Sequence, residues 1–445
     1  MLDLHRALRD RGRYRRQIER LCERTHAAAQ RRIMRVEGVS LDSVFDRRRR
    51  LARLLAGTIG RNAFEFRPGR VREIHVQGKL RDVFSFGLVD LIVHGVVSDI
   101  IEEAAAPLLS PELFSYRKGI SWWHAVSRFS DFVRAHRRAR PDPRCRGLFV
   151  LRRDVDAYTD SIPVGAGSPL WGMLRELFET PEGRIEPDDW RILESVVRPV
   201  VHDKEGRLIS LLRGVPTGQP VACVLFNFYL HELDRELAAI PGGFYARYSD
   251  DILFAHPDAE VAQAASAAIE RNLAELGLRL KAEKSLDLYL NAAGRNSAEA
   301  PSTRGSPSVP FLGLDVWADG TTSLDREKTR ALLRDLAARA RRTAQALRGT
   351  SLEVRGKAVC AALNRSLAAE TLLFQEPAAS VLRRVVTRRP KLLELDYLIA
   401  KVVVGTVTGR TGIRGFRSLP YRTLRRDWGL DSLYHGRNVR PPRTG

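Results

Sequence analysis

The chain has 445 residues, 44% hydrophobic and 29% charged, with 74 Lys and Arg against 53 Asp and Glu for a formal net charge of +21. That balance excludes disordered, collagen-like and fibrous classes, and the length suits two or three domains or one large domain with appendages. A globular chain this basic is expected to work against a polyanion. Nucleic acid is the commonest such partner, with acidic small substrates and anionic membranes as the other readings.

Cys22, Cys145, Cys223 and Cys360 lie far apart, without a C-x-x-C pair or a Cys/His cluster. This argues against a zinc ribbon, a zinc endonuclease module and a secreted disulfide scaffold. The first twenty residues have no apolar signal core, and the most apolar stretch, 87–101, is interrupted by Asp90, His94 and Asp99. A cytoplasmic protein with no membrane partner is therefore expected.

In chain order, residues 1–58 read as a basic helical extension ending in Arg47 to Arg50, with Leu51, Leu54 and Leu55 at helical spacing. A solvated helix face and a nucleic-acid arm both fit that pattern. Short extended pieces between Phe64 and Val83 predict a hairpin-like element, and a helix is expected over Leu88 to Ala105. Arg137 to Arg146 is a Pro and Arg turn region. Gly147 to Leu151 is a continuous apolar strand that stops at Arg152-Arg153-Asp154.

Helical texture resumes after Ile162. Arg213 to Leu237 is a Gly/Pro turn feeding an apolar helix with Phe226, Tyr229, Leu230 and Leu233 on one stripe. Phe244 to Ala255 reads as strand, turn, strand, with Ser249, Asp250 and Asp251 between the apolar runs. Ala262 to Leu276 is an Ala-rich helix whose end turns back into a strand. Asn291 to Pro310 has the composition of a mobile loop. A strand at Phe311-Leu312-Gly313, a basic helix over Asp325 to Arg348 and a helical region to Gly445 complete the chain.

Acids at the ends of apolar strands are expensive if they point into one cleft. Asp154, Asp250 and Asp251 gathered together would repel one another and rise in pKa unless a cation held them, and Mg²⁺ is the natural oxygen-seeking partner. A pair of such ions about 3.5–4 Å apart can activate a 3′-hydroxyl and stabilise leaving pyrophosphate. Taken singly, Asp154 also fits a strand-end or helix-capping acid, Asp250-Asp251 a turn pair, and Gly218 a plain turn glycine.

Tyr248-Ser249-Asp250-Asp251 resembles the Y-x-D-D signature of reverse transcriptases. Asp154 to Ile162 is similar to that family's first carboxylate motif, and Gly214-Val215-Pro216-Thr217-Gly218-Gln219-Pro220 to its glycine-containing platform. The segment 277–285 resembles the loop with a catalytic lysine, and Phe311 to Leu314 the primer-grip hairpin. Upstream, residues 78–83 resemble the fingers strand that grips the triphosphate, and Phe114 to Ser121 a further fingers block of prokaryotic members. The motifs run in the family's order from about residue 60 to about 345.

The resemblance implies an α+β right-hand polymerase, with fingers, a palm whose small antiparallel sheet is backed by helices, a helical thumb, and basic helical extensions at both ends. The implied layout is an extension at 1–58, fingers at 59–146 and a palm at 147–322 with a fingers-type helical insert near 163–212. The thumb would start at 323–350, and 351–445 would be its basic helical continuation.

The implied activity is RNA-directed DNA polymerisation with two Mg²⁺ ions, an RNA template and primer, and dNTPs. Asp154, Asp250, Asp251 and the Val155 carbonyl would hold metal. Lys284 would be the general acid, since lysine can give up a proton where arginine essentially cannot. Lys79, Arg81, Val155, Tyr158, Thr159, Gly218 and Gln219 would bind the nucleotide, and Phe311, Leu312, Gly313, Arg330 and Arg334 the primer and template. This chain departs from the family in placing Thr159 where an aromatic residue usually blocks the ribose 2′-hydroxyl, and Thr217 where Gln is usual.

The closing segment, 408–438, is similar to the tails of the unknown-group, defence-associated bacterial enzymes, which implies antiphage defence with a dedicated noncoding RNA and an accessory defence protein. Retron-like and intron-derived enzymes, an RNA-copying or template-independent polymerase, and a catalytically idle RNA-binding scaffold are the alternatives. In that tail Phe416, Tyr421, Trp428 and Tyr434 interleave with Arg414, Arg417, Arg422, Arg425 and Arg426. The pattern fits base stacking with phosphate clamping, and equally a packed amphipathic helix.

Overall fold

In the computed structural model the described residues are 2–23, 35–36, 39–76, 79–140, 142, 144, 146–179, 184–369 and 376–438. The side chains of residues 35, 36, 39, 75, 76, 79–81, 437 and 438 lie outside that description. The chain divides into two compact units. The first comprises 1–121, 151–254 and 260–286, and the second 122–150, 255–259 and 287–445.

The first unit has one contiguous apolar core. The helix Leu88–Ala105 occupies its centre and is apolar around most of its circumference, as a helix surrounded by protein must be. The helix Val221–Phe228 packs against it and His231–Ala238 against the strand Phe244–Tyr248, so the predicted single helix is resolved into two. Phe226, Tyr229, Leu230 and Leu233 are all buried.

The basic N-terminal extension belongs to this core. Tyr14, Ile18 and Cys22 of the helix Arg11–Glu23 are buried, and Gln17 Nε2 donates to the Gly95 carbonyl at 2.6 Å. Its cations meet acids of the same unit: Arg9 with buried Asp189 at 2.7 Å, Arg13 with Glu103 at 2.8 Å, and Arg20 with Asp99. Packing thus accounts for much of the charge pattern here.

A four-stranded sheet in the order Lys79–Ser85, Gly69–Val76, Val200–His202, Leu208–Ser210 forms in the same unit. Its first two strands are an antiparallel hairpin in register from Arg70 opposite Ser85 to Val76 opposite Lys79.

A five-stranded sheet carries the acids, in the order Arg304–Ser306, Leu286–Leu290, Leu148–Asp154, Asp251–His256, Phe244–Tyr248. Three of these strands contribute residues to both units. The strand Leu148–Asp154 is central and buried along nearly its whole length, which is why it reads as a continuous apolar run rather than an alternating one.

In the second unit an antiparallel sheet of Ser308–Phe311, Leu314–Trp317 and Thr322–Leu324 leads into the long helix Arg326–Ala346. Asp325 caps that helix, its side chain accepting from the Lys328 amide at 2.7 Å. The helices Leu352–Ala368 and Arg389–Thr408 pack with it.

One expectation is corrected. Asn291 to Pro310 is not one continuous loop. Arg304–Ser306 pairs in parallel with Leu288 to Leu290, and Ser308–Phe311 pairs with Leu314–Trp317, because strand pairing satisfies backbone groups whatever the side-chain composition. In the tail, Trp428 is buried against Gly356, where a Cβ would lie 2.1 Å from the indole, and the Phe416 ring stacks on Tyr397. Trp428 is thus a packing group, while Phe416 is half-buried beside exposed Tyr397. Tyr421, Arg414, Arg417, Arg422 and Arg426 remain exposed. Among the described residues no helix is long and apolar enough to cross a membrane.

Candidate active site

Alternation along the strand Leu148–Asp154 puts Arg152 and Asp154 on one face and Arg153 on the other. Arg153 is buried and donates to the Leu286 carbonyl at 3.1 Å and Ser266 Oγ at 2.8 Å. Arg152 donates to Asp251 Oδ1 at 3.1 Å. The chain leaves the strand through Ala157, whose φ of +43° is left-handed, an unusual conformation for a residue with a Cβ.

The second acidic element is the hairpin Phe244–Tyr248 and Asp251–His256. Its tip is Ser249-Asp250, with Ser249 at φ +57°. The Val155 amide donates to the Asp250 carbonyl at 3.1 Å, so the two acid-bearing turns are joined backbone to backbone.

The loop after Leu278 closes the site from the other side of Val155. Lys281 N bonds Asp154 O and Asp156 N bonds Arg279 O, both at 2.8 Å, flanking the antiparallel bridge between Val155 and Leu280. In that pattern the N–H and C=O of Val155 itself face away from Leu280, toward the acidic hairpin. The same loop delivers Lys284, whose Nζ lies 2.7 Å from Asp154 Oδ2.

Three acids thus meet two cations. Burial raises the Asp250 carboxyl above its ordinary pKa, helped by the charges of Asp251 and Asp154 and opposed by Lys284. Burial also raises Asp251, against the pull of Arg152. The hydrogen bond to Asp154 raises Lys284, which holds its proton firmly. Among the described residues no three acidic, His or Cys side chains already stand in a closed metal-ligand set. Asp154 is turned to Lys284 and Asp251 to Arg152. The donors are carboxylate oxygens, the ligand type that Mg²⁺ takes.

The glycine loop lies against the strand Lys79–Ser85. Phe84 N donates to Thr217 O and Thr217 Oγ1 to Asp82 O, both at 2.9 Å. Gly218 has φ +107°, and a Cβ there would sit 2.6 Å from the Phe84 carbonyl, so both backbone conformation and close approach require glycine. Val215 N bonds Thr159 O at 3.1 Å, tying this loop to the segment after Asp154.

Asp154, Val155, Asp250, Asp251, Lys284, Thr159, Gly218 and Gln219 all belong to the first unit. Tyr158 needs correction as a nucleotide contact: it is buried, and its hydroxyl donates to the Phe226 carbonyl at 2.6 Å. Thr159 beside it is partly exposed. Gln219 is also buried, and neither atom of its side-chain amide has a hydrogen-bond partner among the described residues. Lys79 and Arg81 lie on the strand Lys79–Ser85, with side chains outside the described residues.

Phe311, Leu312, Gly313, Arg330 and Arg334 belong to the second unit. Phe311 is fully buried there, so its ring is corrected to a core group. Leu312 and Gly313 form a two-residue turn with φ of +49° and +81°, the signs that a tight hairpin demands. Lys328 Nζ, 4.0 Å over the Trp122 ring, holds that turn by donating to the Leu312 carbonyl at 2.9 Å. Arg330 and Arg334 are exposed on the long helix.

Sequence reading did not single out Arg152, Tyr116 or Arg247. Arg152 carries a signal in its two-residue spacing from Asp154. Tyr116 is 47% exposed at φ +52°, its ring 6.3 Å from that of Phe226. Its local signal is its place within the Phe114 to Ser121 block.

Residues 174–316 match the family described as reverse transcriptase (RNA-dependent DNA polymerase). The matched stretch includes Gly218, Asp250, Asp251 and Lys284 and begins after Asp154. No curated protein sequence matches the chain.

Among solved structures, the chain is similar to apo telomerase from Candida tropicalis truncated from the C-terminal domain, at 14% identity and a TM-score of 0.43, covering 58% of this chain and 55% of that one. It is also similar to two telomerases in complex with a TWJ fragment of telomeric RNA. The Candida albicans complex gives 14% identity and a TM-score of 0.42, covering 82% of this chain and 64% of that one. The Candida tropicalis complex gives 15% and 0.44, covering 82% and 63%. The chain thus spans less than two thirds of the length of these telomerases, and similarity at this level identifies no activity. The family match marks residues 174–316 as a reverse transcriptase (RNA-dependent DNA polymerase) domain, and the mixed helix and sheet architecture around it is consistent with a right-hand polymerase fold.

Proposed function

We propose that the chain as a whole is an RNA-directed DNA polymerase, extending a primer along an RNA template with dNTPs. The observation that carries this reading is the joining of Asp154, Asp250, Asp251 and Lys284 around the Val155–Asp250 backbone bond, within a unit whose glycine loop lies against the fingers-type strand. The three carboxylates, with the Val155 carbonyl, are the groups that would hold Mg²⁺. The bound ions would activate the primer 3′-hydroxyl and stabilise pyrophosphate.

This chain's own residues do the rest. Gly218 admits the incoming base pair close to the backbone, and Lys79 and Arg81 neutralise the β and γ phosphates. Lys284, protonated at Nζ, gives its proton to departing pyrophosphate. Arg152 keeps Asp251 oriented beside the other two acids.

Antiphage defence with a dedicated noncoding RNA is the finer reading, supported by the resemblance of the closing segment to defence-associated enzymes. The test is to sequence nucleic acid that copurifies with the wild type and with an Asp250→Ala, Asp251→Ala variant during phage challenge. Complementary DNA with the wild type alone is expected. Its absence from the wild type, with magnesium present, counts against polymerisation.

A further inference from the structure

The hairpin that presents Asp250 and Asp251 is anchored from beneath. Arg247, on the strand two residues before Ser249, has a fully buried side chain, as does its partner Asp234. All five guanidinium N–H groups find acceptors. Nε donates to Asp234 Oδ1 and Nη2 to Asp234 Oδ2, each at 2.6 Å. Nη2 also reaches the Asn227 carbonyl at 2.9 Å, and Nη1 reaches the carbonyls of Phe226 at 3.3 Å and Ser249 at 3.2 Å. Tyr245 adds a hydroxyl bond to Asp234 Oδ1 at 2.7 Å. The backbone of Arg247 is fixed as well: its amide bonds Glu112 O at 3.0 Å, and its carbonyl accepts from Phe114 N at 2.9 Å.

We propose that Arg247 is a positioning residue for the reaction. Its guanidinium, oriented by Asp234, holds the carbonyl of the left-handed Ser249 and so sets where Asp250 stands against Val155. This rests on the polymerase reading above. The mechanical chain is short. The Ser249 carbonyl is bonded to Arg247, the next residue is Asp250, and the Asp250 carbonyl is bonded to the Val155 amide, one residue from Asp154. A non-glycine residue at φ +57° persists only where its surroundings hold it, and Arg247 supplies one such bond directly on the strained residue. Lysine cannot replace it, having three donors without the planar fork.

Removing one partner of a buried pair would destabilise the fold, whereas replacing both with apolar residues of similar volume is often tolerated. The decisive comparison is therefore the full-length wild type against Arg247→Met, Asp234→Leu. Three quantities are read: thermal midpoint, Mn²⁺ binding by EPR without nucleotide, and primer extension on an RNA template.

The double variant is expected to melt near the wild type yet bind Mn²⁺ about 10–100-fold more weakly, as when a group supporting metal ligands is lost. Extension is expected to fall about 100-fold, the effect of roughly an ångström of misplacement. A folded double variant with wild-type Mn²⁺ affinity overturns the proposal.

If the double variant does not fold, Arg247→Lys is read in the same way. Weakened Mn²⁺ binding in a folded Arg247→Lys chain supports the proposal, and wild-type binding overturns it. Failure of the wild type itself to extend any primer would count against the polymerase reading, while the Mn²⁺ comparison would still decide the role of Arg247.

Discussion

Asp234 and Asp250 lie sixteen residues apart in the same unit, and their environments are opposites. Asp234 is wholly buried, but both its oxygens are bonded to Arg247, with Tyr245 as a further donor. Burial pulls the Arg247 pKa down, yet the facing carboxylate more than offsets this, and the guanidinium pKa is raised. Asp250 has no ion pair among the described residues, while burial raises its pKa and the charges of Asp251 and Asp154 add to the rise. A compensated buried acid holds the fold together. An under-compensated one beside two other acids is suited to holding a cation brought from outside.

Replacing each acid by its amide should therefore have opposite consequences. Asp250→Asn is expected to lower primer extension by about 10³-fold or more, since it removes a group at the reacting centre. Its thermal midpoint should stay level or rise, because a desolvated and repelled charge is gone. A large fall in stability would break the contrast. Asp234→Asn should reverse the pattern by leaving the Arg247 charge unpaired in the interior. Denaturant melts should register a loss of about 3–5 kcal/mol, the usual cost of breaking a buried pair from one side. A loss below about 1 kcal/mol, within the range of an exposed pair, would mean that Asp234 is not the compensated acid described.

A smaller effect sharpens the same comparison through pH. The raised values at Asp250 and Asp251 mean that the folded protein binds these protons more tightly than the unfolded chain does. Their contribution to stability is therefore complete below the ordinary carboxylate pKa of about 4 and is lost as pH rises through the raised values. Mg²⁺ competes for the same oxygens. The gain in thermal midpoint from saturating Mg²⁺ should be largest near neutral pH and disappear as pH falls through that window. A gain independent of pH would place the ion elsewhere.

Much of the site was legible because its carriers are local patterns. A continuous apolar run marks a central strand, and the acids follow where the run stops. Two apolar runs around Ser249-Asp250 mark a hairpin. Gly218 stands in a Gly/Pro turn, and the structure adds the reason in the nearby Phe84 carbonyl.

What was not legible depends on partners distant in sequence. Arg247 and Arg152 look like two more cations in a chain with 74 Lys and Arg, and only the fold sets them on Asp234 and Asp251. Tyr158 and Phe311 sit inside motifs that suggest contact with ligand, yet their rings fill cores because adjoining residues take the exposed side of each turn. The basic N-terminal extension illustrates the same limit. Its arginines read as surface charge until Asp189, Glu103 and Asp99 are placed opposite them.

The central claim is that Asp154 and Asp250 converge to hold divalent cations, with Asp251 beside them. Anomalous diffraction from crystals of the full chain soaked in Mn²⁺ tests it most directly. The account predicts manganese density touching the carboxylates of both Asp154 and Asp250, lost in an Asp250→Asn crystal. Manganese bound only at other acids, with Asp154 and Asp250 both free of it, would contradict the account.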